Sequence, residues 1–231
     1  MLTSLSIFLP AYNEADNLPD LLKQIHAFAS KSLKKYEVII IDDGSTDNTQ
    51  KIASNLVNRY PNTRIFTHQR NLGYGAAIKN GLVESKYPWV FFMDSDGQFD
   101  IKELKDFLEF DKFDLVVGYR IKRDDPPRRI FASKVYGQIV KFLFGFKVKD
   151  IDCAFKLMNR QKVLDLNLYS DSFFISTELL VKSSRQNLKV KEIGVHHYKR
   201  AKGASTVTTK RVLDSLLELA KLFLNLHNHR R

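Results

Sequence analysis

The sequence predicts an α/β fold with a mostly parallel sheet and helices on both faces. Short apolar runs alternate with segments of helical spacing through the first half of the chain, and this alternation is typical of strand–helix–strand units. The predicted strands are residues 5–9, 38–41, 65–67, 90–93 and 115–117. The predicted helices are residues 17–30, a segment from Asp47 or Asn48 to Arg59, and residues 75–83 and 101–110.

The composition indicates a globular chain with one core. The 231 residues are 44% hydrophobic and 12% aromatic, which is enough for one sizeable core. A single cysteine, Cys153, excludes an internal disulfide framework and a cysteine-based zinc site. We expect neither a signal peptide nor a transmembrane helix, because no charged start with a cleavage site and no apolar run of about 18 residues is recognised.

The net charge of +11 is distributed unevenly along the chain. Residues 1–118 carry 13 Lys and Arg against 16 Asp and Glu, whereas residues 119–231 carry 24 against 10. The basic half therefore suits an anionic partner such as a phosphorylated ligand, an anionic lipid surface or nucleic acid. A basic surface that only confers solubility is the alternative.

Polar residues and glycines follow each of the five predicted strands. Ligands of open α/β sheets bind at the carboxyl ends of the strands, so these residues are expected to form one site. In strand order they are Pro10, Tyr12, Asn13 and Glu14; Asp42 and Asp43; Asn71, Gly73 and Gly75; Asp94, Asp96 and Gln98; and Gly118, Tyr119 and Arg120.

Asp94 and Asp96 form the central feature of that predicted site. Residues two apart on an extended strand point to the same side, and two carboxylates held close together repel unless a cation lies between them. A hard divalent cation such as Mg²⁺ or Mn²⁺ takes oxygen ligands of this kind, and Gln98 adds a neutral oxygen. The alternative is a turn built from Asp and Gly with no ligand.

Two other strand-end segments have alternative interpretations. Asp43 could accept hydrogen bonds from a nucleobase, or its segment could only cap a helix. The segment 71–77, NLGYGAA, lacks the third glycine of a dinucleotide fingerprint and the Gly-Lys-Ser/Thr ending of a P-loop. We therefore reject both of those motifs and expect its glycines to allow close backbone approach and a tight helix start.

Seven segments, in this order and spacing, resemble inverting family 2 glycosyltransferases with a GT-A fold, in particular the dolichol-phosphate and polyprenyl-phosphate sugar synthases. The segments are PAYNE (10–14), IIIDDGSTDNT (39–49), NLGYGAAIKNG (71–81), MDSDGQ (93–98), VVGYR (116–120), DIDCAFKLMNR (150–160) and RAKGAS (200–205). The resemblance covers most of the chain and implies a Rossmann-like nucleotide-diphospho-sugar transferase fold.

The resemblance also implies roles for individual residues. The implied base and ribose contacts are Pro10, Tyr12, Glu14, Ile41 and Asp43. The implied metal and diphosphate group is Asp94, Ser95, Asp96 and Gln98. Arg120 and Arg200 are the implied phosphate-binding arginines, and the alternative for Arg200 is an ordinary place in a basic surface cluster.

The second half is expected to contain the acceptor site. The segment 128–149 is basic and aromatic, and it predicts a helix that lies at a membrane interface. A C-terminal helix at 210–227 is similar, with core packing or dimer formation as its alternative. We expect a catalytic domain over residues 1–210, divided into a donor half (1–120) and an acceptor half (121–210), followed by an amphipathic helix and basic tail (211–231).

The predicted function is transfer of a hexose from a GDP- or UDP-sugar to a polyprenyl phosphate, dolichyl or undecaprenyl, by a cytoplasmic protein that is peripherally bound to the membrane. A phosphate acceptor needs no strong general base, whereas a saccharide or other hydroxyl acceptor does. Asp152 and Asp150 are the candidate bases, with Glu178 behind them. The alternative is that these carboxylates orient nearby basic residues or cap turns. A membrane-protein partner is a further expectation, because many related synthases append transmembrane helices and no such helix is recognised in this sequence. A homodimer is expected if the C-terminal helix forms a dimer. A basic nucleic-acid-binding module is the alternative from a different class.

Overall fold

The computed structural model describes residues 2–123, 127–145, 148–200, 202 and 217–224. Its centre is a seven-stranded sheet with the spatial order β3-β2-β1-β4-β6-β5-β7. In chain order the strands are β1 (Ser4–Ala11), β2 (Lys35–Asp42), β3 (Thr63–Thr67), β4 (Trp89–Met93), β5 (Leu115–Arg123), β6 (Phe155–Asn159) and β7 (Val190–His197). Strand β6 is antiparallel to β4 and β5, and the other paired strands of the described sheet are parallel.

The helices connect these strands. They are α1 (Leu18–Ser32), α2 (Thr49–Arg59), α3 (Tyr74–Glu84), α4 (Leu104–Phe107), α5 (Pro127–Phe144), α6 (Arg160–Leu164), α7 (Ile175–Arg185) and α8 (residues 217–224). Helix α1 packs beside α2, whereas α3 packs against β1, β2 and α7. Because the chain reverses its direction across the sheet between β3 and β4, right-handed crossovers place α3 on the face opposite α1 and α2. The predicted mostly parallel α/β class is confirmed.

The core explains why three neighbouring strands end together. β1, β2 and β4 are buried along nearly their whole length, as expected for strands covered on both faces. The rings of Phe8 and Phe92 stack at 5.4 Å between β1 and β4, and a Cβ on Gly81 would lie 2.3 Å from the Phe8 ring. This packing holds the carboxyl ends of β1, β2 and β4 side by side.

Two predicted elements differ in extent. The predicted helix 101–110 is a 3₁₀ turn (Ile101–Glu103) followed by α4, which ends at Phe107 because the chain turns through hydrogen bonds to the Phe107 and Phe110 carbonyls. Strand β5 continues to Arg123 because β7 pairs with it in parallel. Gly118, Tyr119 and Arg120 therefore lie within a strand, and the prediction that they follow the strand end is wrong.

Candidate functional site

The loops after β1 and β2 are tied together by side chains. Asn13 has a positive φ of 57°. Its side-chain oxygen accepts a hydrogen bond from the Thr46 backbone amide at 2.8 Å, and the Asn13 backbone amide donates to Ser45 Oγ at 2.9 Å. The Glu14 amide donates to Thr49 Oγ1 at 2.8 Å. Pro10 of β1 pairs in register with Ile41 of β2 near the ends of these strands. Tyr12 lies just after β1 and is half-buried. Four of the five predicted base and ribose contacts thus lie at one edge of the sheet.

Asp43, the fifth of them, is buried and holds the next loop. Its Oδ1 lies 2.7 Å from His68 Nδ1 and accepts from the Leu72 amide at 2.8 Å, and its Oδ2 accepts from the Gly73 amide at 2.9 Å. Asp43 itself is therefore no helix cap, whereas Asp47 of the same segment accepts from the Thr49 amide at the start of α2 at 2.8 Å. A carboxylate accepts about four hydrogen bonds, so the three partners of Asp43 within the chain leave one acceptor position. The contact between Asp43 and a nucleobase stays a prediction.

The glycines of residues 71–77 admit another segment of the chain. A Cβ on Gly73 would lie 2.2 Å from the Asp171 carbonyl oxygen, and one on Gly75 would lie 2.3 Å from that of Ser170. The Gly75 amide donates to the Asp171 carbonyl at 2.9 Å, and Gly73 has a φ of +107° immediately before α3. Close backbone approach and a tight helix start are both confirmed.

Asp94 lies immediately after β4 and is held in a low-dielectric position. Tyr74 Oη donates to Asp94 Oδ1 at 2.9 Å, and Ser95 Oγ donates to the Pro10 carbonyl at 2.7 Å. Burial, and secondly the charge of Asp96, raises the pKa of Asp94 to about 7. The negative charge of Asp96 thus acts on Asp94, as predicted for two carboxylates that follow the same strand.

Arg200 spans the cleft between the loops after β1 and β4. Its Nη2 donates to Glu14 Oε1 and lies 3.9 Å from Asp96 Oδ2. Its side chain is only 20% exposed, which argues against membership of a solvated surface cluster. Burial raises the pKa of Glu14. Residues 201 and 203–205 of the RAKGAS segment lie outside the described residues.

Gln98 closes the loop that carries the aspartates. Its amide donates to Asp96 Oδ1 at 3.0 Å and its Nε2 donates to the Tyr198 carbonyl at 2.8 Å. The side-chain amide nitrogen is therefore engaged with the segment that follows β7. This leaves Oε1 as the atom of Gln98 that suits a cation.

Arg120 and Asp150 form a buried ion pair. Arg120 Nε and Nη2 donate to the two oxygens of Asp150 at 2.6 and 2.8 Å, with 7% and 11% of the side chains exposed. Burial alone would lower the pKa of Arg120, but the hydrogen bond and charge of Asp150 raise it above its usual value. Asp152, two residues further on, is exposed. Asp150 is thus committed to Arg120, and Asp152 is the more accessible candidate base.

Glu178 has a structural role. Its fully buried carboxylate accepts from the Tyr169 amide at 3.0 Å and the Ser170 amide at 2.9 Å, and Lys182 Nζ lies 2.6 Å away. These bonds hold the segment that packs on Gly73 and Gly75. The prediction that Glu178 stands behind the aspartates as an acid–base group receives no support from these contacts.

Sequence reasoning missed two residues near the site. Tyr74, the partner of Asp94, was visible only as part of a glycine-rich segment. Lys156 is fully buried on β6, where its Nζ donates to the Cys153 carbonyl and lies 3.4 Å from that of Ile151. Burial lowers the pKa of Lys156 and raises that of the Cys153 thiol to about 12. A lysine inside the apolar run AFKLM was the available signal. The Cys153 side chain is fully buried.

The oxygen ligands at the end of β4 suit a divalent cation that also binds a diphosphate. In the part of the chain that the structure describes, no three His, Cys, Asp or Glu side chains gather to hold a metal by themselves. Asp94 and Asp96 provide two carboxylates, and Mg²⁺ is commonly bound by one or two carboxylates together with substrate phosphates. The residues therefore fit a cation that shares its coordination with a diphosphate.

Comparison with known proteins places this chain in a family. Residues 6–166 match the family described as Glycosyl transferase family 2. The chain belongs to this family. The resemblance inferred from the seven segments is confirmed.

Relatives similar to this chain include two described as dolichyl-phosphate beta-glucosyltransferases. Dolichyl-phosphate beta-glucosyltransferase ALG5D of Trichomonas vaginalis is 30% identical over 82% of this chain and 64% of its own length. The dolichyl-phosphate beta-glucosyltransferase of Dictyostelium discoideum is 31% identical over 83% of this chain and 65% of its own length. The chain therefore spans slightly less than two thirds of these relatives.

A solved structure supports the fold. Glucosyl-3-phosphoglycerate synthase from Mycobacterium tuberculosis, in complex with Mn²⁺, uridine diphosphate and glucosyl-3-phosphoglycerate, superimposes with a TM-score of 0.69. The sequence identity is 17%, and the match covers 94% of this chain and 79% of that one. The likeness confirms the GT-A fold class of this family 2 protein.

Proposed function

We propose that this chain transfers glucose from UDP-glucose to dolichyl phosphate or a related polyprenyl phosphate, with inversion, at a membrane surface. The observation that carries the proposal is the convergence of Glu14, Asp94, Asp96 and Arg200 at the edge where β1 and β4 end. Arg200 approaches both Glu14 and Asp96 across that cleft. The descriptions of the two similar relatives support the glucosyl group and the dolichyl phosphate. The ligands bound in the solved structure of similar fold support UDP over GDP.

The donor half of the proposal assigns these side chains to parts of UDP-glucose. Pro10, Tyr12, Ile41 and Asp43 would bind the base and ribose, and Arg200 would contact the diphosphate. Arginine binds phosphate oxygens with two parallel hydrogen bonds. Asp94, Asp96 and Gln98 would hold Mg²⁺ or Mn²⁺, which when bound stabilises the negative charge of the departing UDP.

The acceptor half needs little acid–base chemistry from the protein. A phosphate monoester carries about 1.5 to 2 negative charges near neutral pH, so its oxygen can attack the anomeric carbon directly. The new carbon–oxygen bond forms as the bond from that carbon to the diphosphate breaks. Arg120, fixed by Asp150, would contribute positive charge near this phosphate. Asp152 would orient the acceptor, or act as base for a hydroxyl.

The test of this activity is a transfer assay with donor and acceptor pairs. The chain is incubated with Mn²⁺ and radiolabelled UDP-glucose or GDP-mannose, with and without dolichyl phosphate in detergent. We expect a labelled lipid product from UDP-glucose that depends on both the lipid and Mn²⁺. UDP binding without any lipid product would contradict the proposed acceptor, and a product from GDP-mannose alone would contradict the proposed donor.

An exposed apolar and basic surface on α5 supports the lipid acceptor. Four apolar side chains on α5 are exposed at helical spacing: Phe131 70%, Val135 42%, Ile139 39% and Phe142 88%. Lys134 and Lys141 lie on the same helix, and apolar side chains interleaved with lysines suit an anionic lipid interface. None of the helices in the described part of the chain combines the length and apolarity needed to cross a bilayer.

Helix α8 extends this surface while also packing on the core. Leu219 and Leu222 are buried, whereas Leu217 is 64% and Leu224 60% exposed. The rings of Phe144 and Phe223 meet edge to face at 5.9 Å. Core packing and outward exposure thus occur on the same helix. The remaining residues of the predicted helix 210–227, the basic tail, residues 146–147 and the side chains of residues 128–129 lie outside the described part of the chain.

Charging this surface is expected to weaken membrane binding. Phe131→Glu combined with Phe142→Glu should reduce partitioning onto phosphatidylserine-containing vesicles by about tenfold or more, because burying one Phe side chain contributes roughly 1.5–3 kcal/mol. Vesicle sedimentation measures this. The matched control is Val83→Glu, which charges an exposed apolar residue of α3 and should leave partitioning unchanged. Equal partitioning of the double variant and wild type would contradict the assignment of this surface.

A further inference from the structure

Tyr74 is placed by the backbone to reach Asp94 from a neighbouring element. It is the first residue of α3, immediately after Gly73 with its φ of +107°. Its Oη donates to Asp94 Oδ1 at 2.9 Å. Among the residues that the structure describes, no other group donates a hydrogen bond to Asp94. One oxygen of this carboxylate is therefore engaged and the other is left for a ligand.

The ring of Tyr74 is held by a separate segment, residues 169–173. The Tyr74 and Phe173 rings stack with their centroids 5.0 Å apart and their planes at 18°. Two residues of α3 fix this segment. The Gly75 amide donates to the Asp171 carbonyl. Lys79 Nζ donates to the Tyr169 carbonyl at 2.9 Å and lies 2.7 Å from Asp171 Oδ1.

The far side of this segment is anchored as well. Glu178 accepts from the Tyr169 and Ser170 amides, and Ser170 Oγ donates to Glu218 Oε2 of α8 at 2.6 Å. The segment is thus fixed by α3, α7 and α8 together. A ring stacked on such a segment has little freedom to turn away from Asp94.

We propose that Tyr74 is a positioning residue for the metal site: its hydroxyl fixes the Asp94 carboxylate so that the oxygen it does not occupy is presented to the divalent cation. The inference rests on the proposed metal-dependent binding of UDP-glucose. It adds a residue that acts through Asp94, and it makes segment 169–173 the support of that residue. Hydrogen-bond partners of metal ligands typically contribute about 10- to 100-fold to metal affinity.

The test measures Mn²⁺ affinity rather than turnover. Free Mn²⁺ is followed by electron paramagnetic resonance as it is titrated into protein saturated with UDP. Tyr74→Phe keeps the ring and its stack on Phe173 but removes the hydroxyl, and we expect it to weaken Mn²⁺ binding by about 10- to 100-fold. UDP binding measured in EDTA and the thermal unfolding midpoint should stay as in wild type.

Two further variants separate positioning from a general loss of structure. Phe173→Leu removes the stacking partner without touching Asp94, and it should weaken Mn²⁺ binding in the same direction. Tyr36→Phe removes a tyrosine hydroxyl that lies 3.0 Å from His26 Nδ1, and it should leave Mn²⁺ affinity unchanged.

Two results would overturn the inference while leaving the proposed function intact. The first is wild-type Mn²⁺ affinity in Tyr74→Phe. The second is an equal loss of UDP affinity in EDTA, which would indicate collapse of the whole donor site. If the wild-type chain with UDP binds no Mn²⁺, the proposed function fails and this inference fails with it.

Discussion

Replacing Asp96 with Asn is expected to reduce glucosyl transfer by at least about 100-fold, the scale of losing one preorganised electrostatic group in an active site. Asp96 contributes one of the two carboxylates proposed to hold the cation, and an amide is a much weaker ligand for Mg²⁺ or Mn²⁺. Asn keeps the shape of the side chain and an oxygen for the Gln98 amide, which donates to Asp96 Oδ1. The loop should therefore stay folded while metal-dependent binding is lost.

The control for this variant is Asp100→Asn. Asp100 lies four residues further on, and its carboxylate accepts from the Lys102 amide at 3.0 Å, a contact that Asn can also make. Initial rates and thermal unfolding of both variants are measured together. Transfer by Asp96→Asn at the wild-type rate, with intact dependence on Mn²⁺, would contradict the assignment of Asp96 as a metal ligand.

Replacing Arg120 with Met is expected to lower the free energy of unfolding by about 3–5 kcal/mol, which is typical when one partner of a buried ion pair is removed. Both oxygens of Asp150 accept from the Arg120 guanidinium, and neither side chain is more than 11% exposed. The variant leaves a buried carboxylate without its arginine. Chemical denaturation monitored by circular dichroism measures the change.

A double variant and a surface pair test that explanation. Arg120→Met with Asp150→Leu removes both charges and should recover much of the lost stability, because an apolar pair often replaces a buried ion pair at little cost. Lys162→Met breaks a pair with Asp114 in which Lys162 is 48% exposed, and it should change stability by less than about 1 kcal/mol. If Arg120→Met unfolds as wild type does, the buried pair contributes nothing and the account of Arg120 is wrong.

The fold of residues 1–117 could largely be predicted because its signals are local. Apolar strands such as residues 38–41 and 90–93 are bounded by turn residues, and parallel strands bring their carboxyl ends to one edge. Asp94, Asp96 and Glu14 could therefore be assigned to one site from the amino-acid sequence alone. Arg200 could be assigned only by resemblance, because it follows β7, a strand that no local pattern predicted.

The remainder depends on contacts between residues distant in sequence. Strand β5 runs beyond Val117 because it pairs with β7, more than 70 residues later. The partner of Arg120 is Asp150, and Asp43 is held by His68 and the Gly73 amide. No spacing rule indicates that Tyr74 reaches Asp94. Such pairings are set by how the whole sheet packs, so a single sequence does not reveal them.

The measurement that tests the central claim most directly is calorimetric titration of UDP and GDP into the wild-type chain, each with Mn²⁺ and with EDTA. The account predicts that UDP binds in Mn²⁺, that its affinity falls in EDTA, and that GDP binds more weakly than UDP. Equal UDP affinity in Mn²⁺ and EDTA would contradict the metal site at Asp94 and Asp96. Failure of both nucleotides to bind under any condition would contradict the donor site itself.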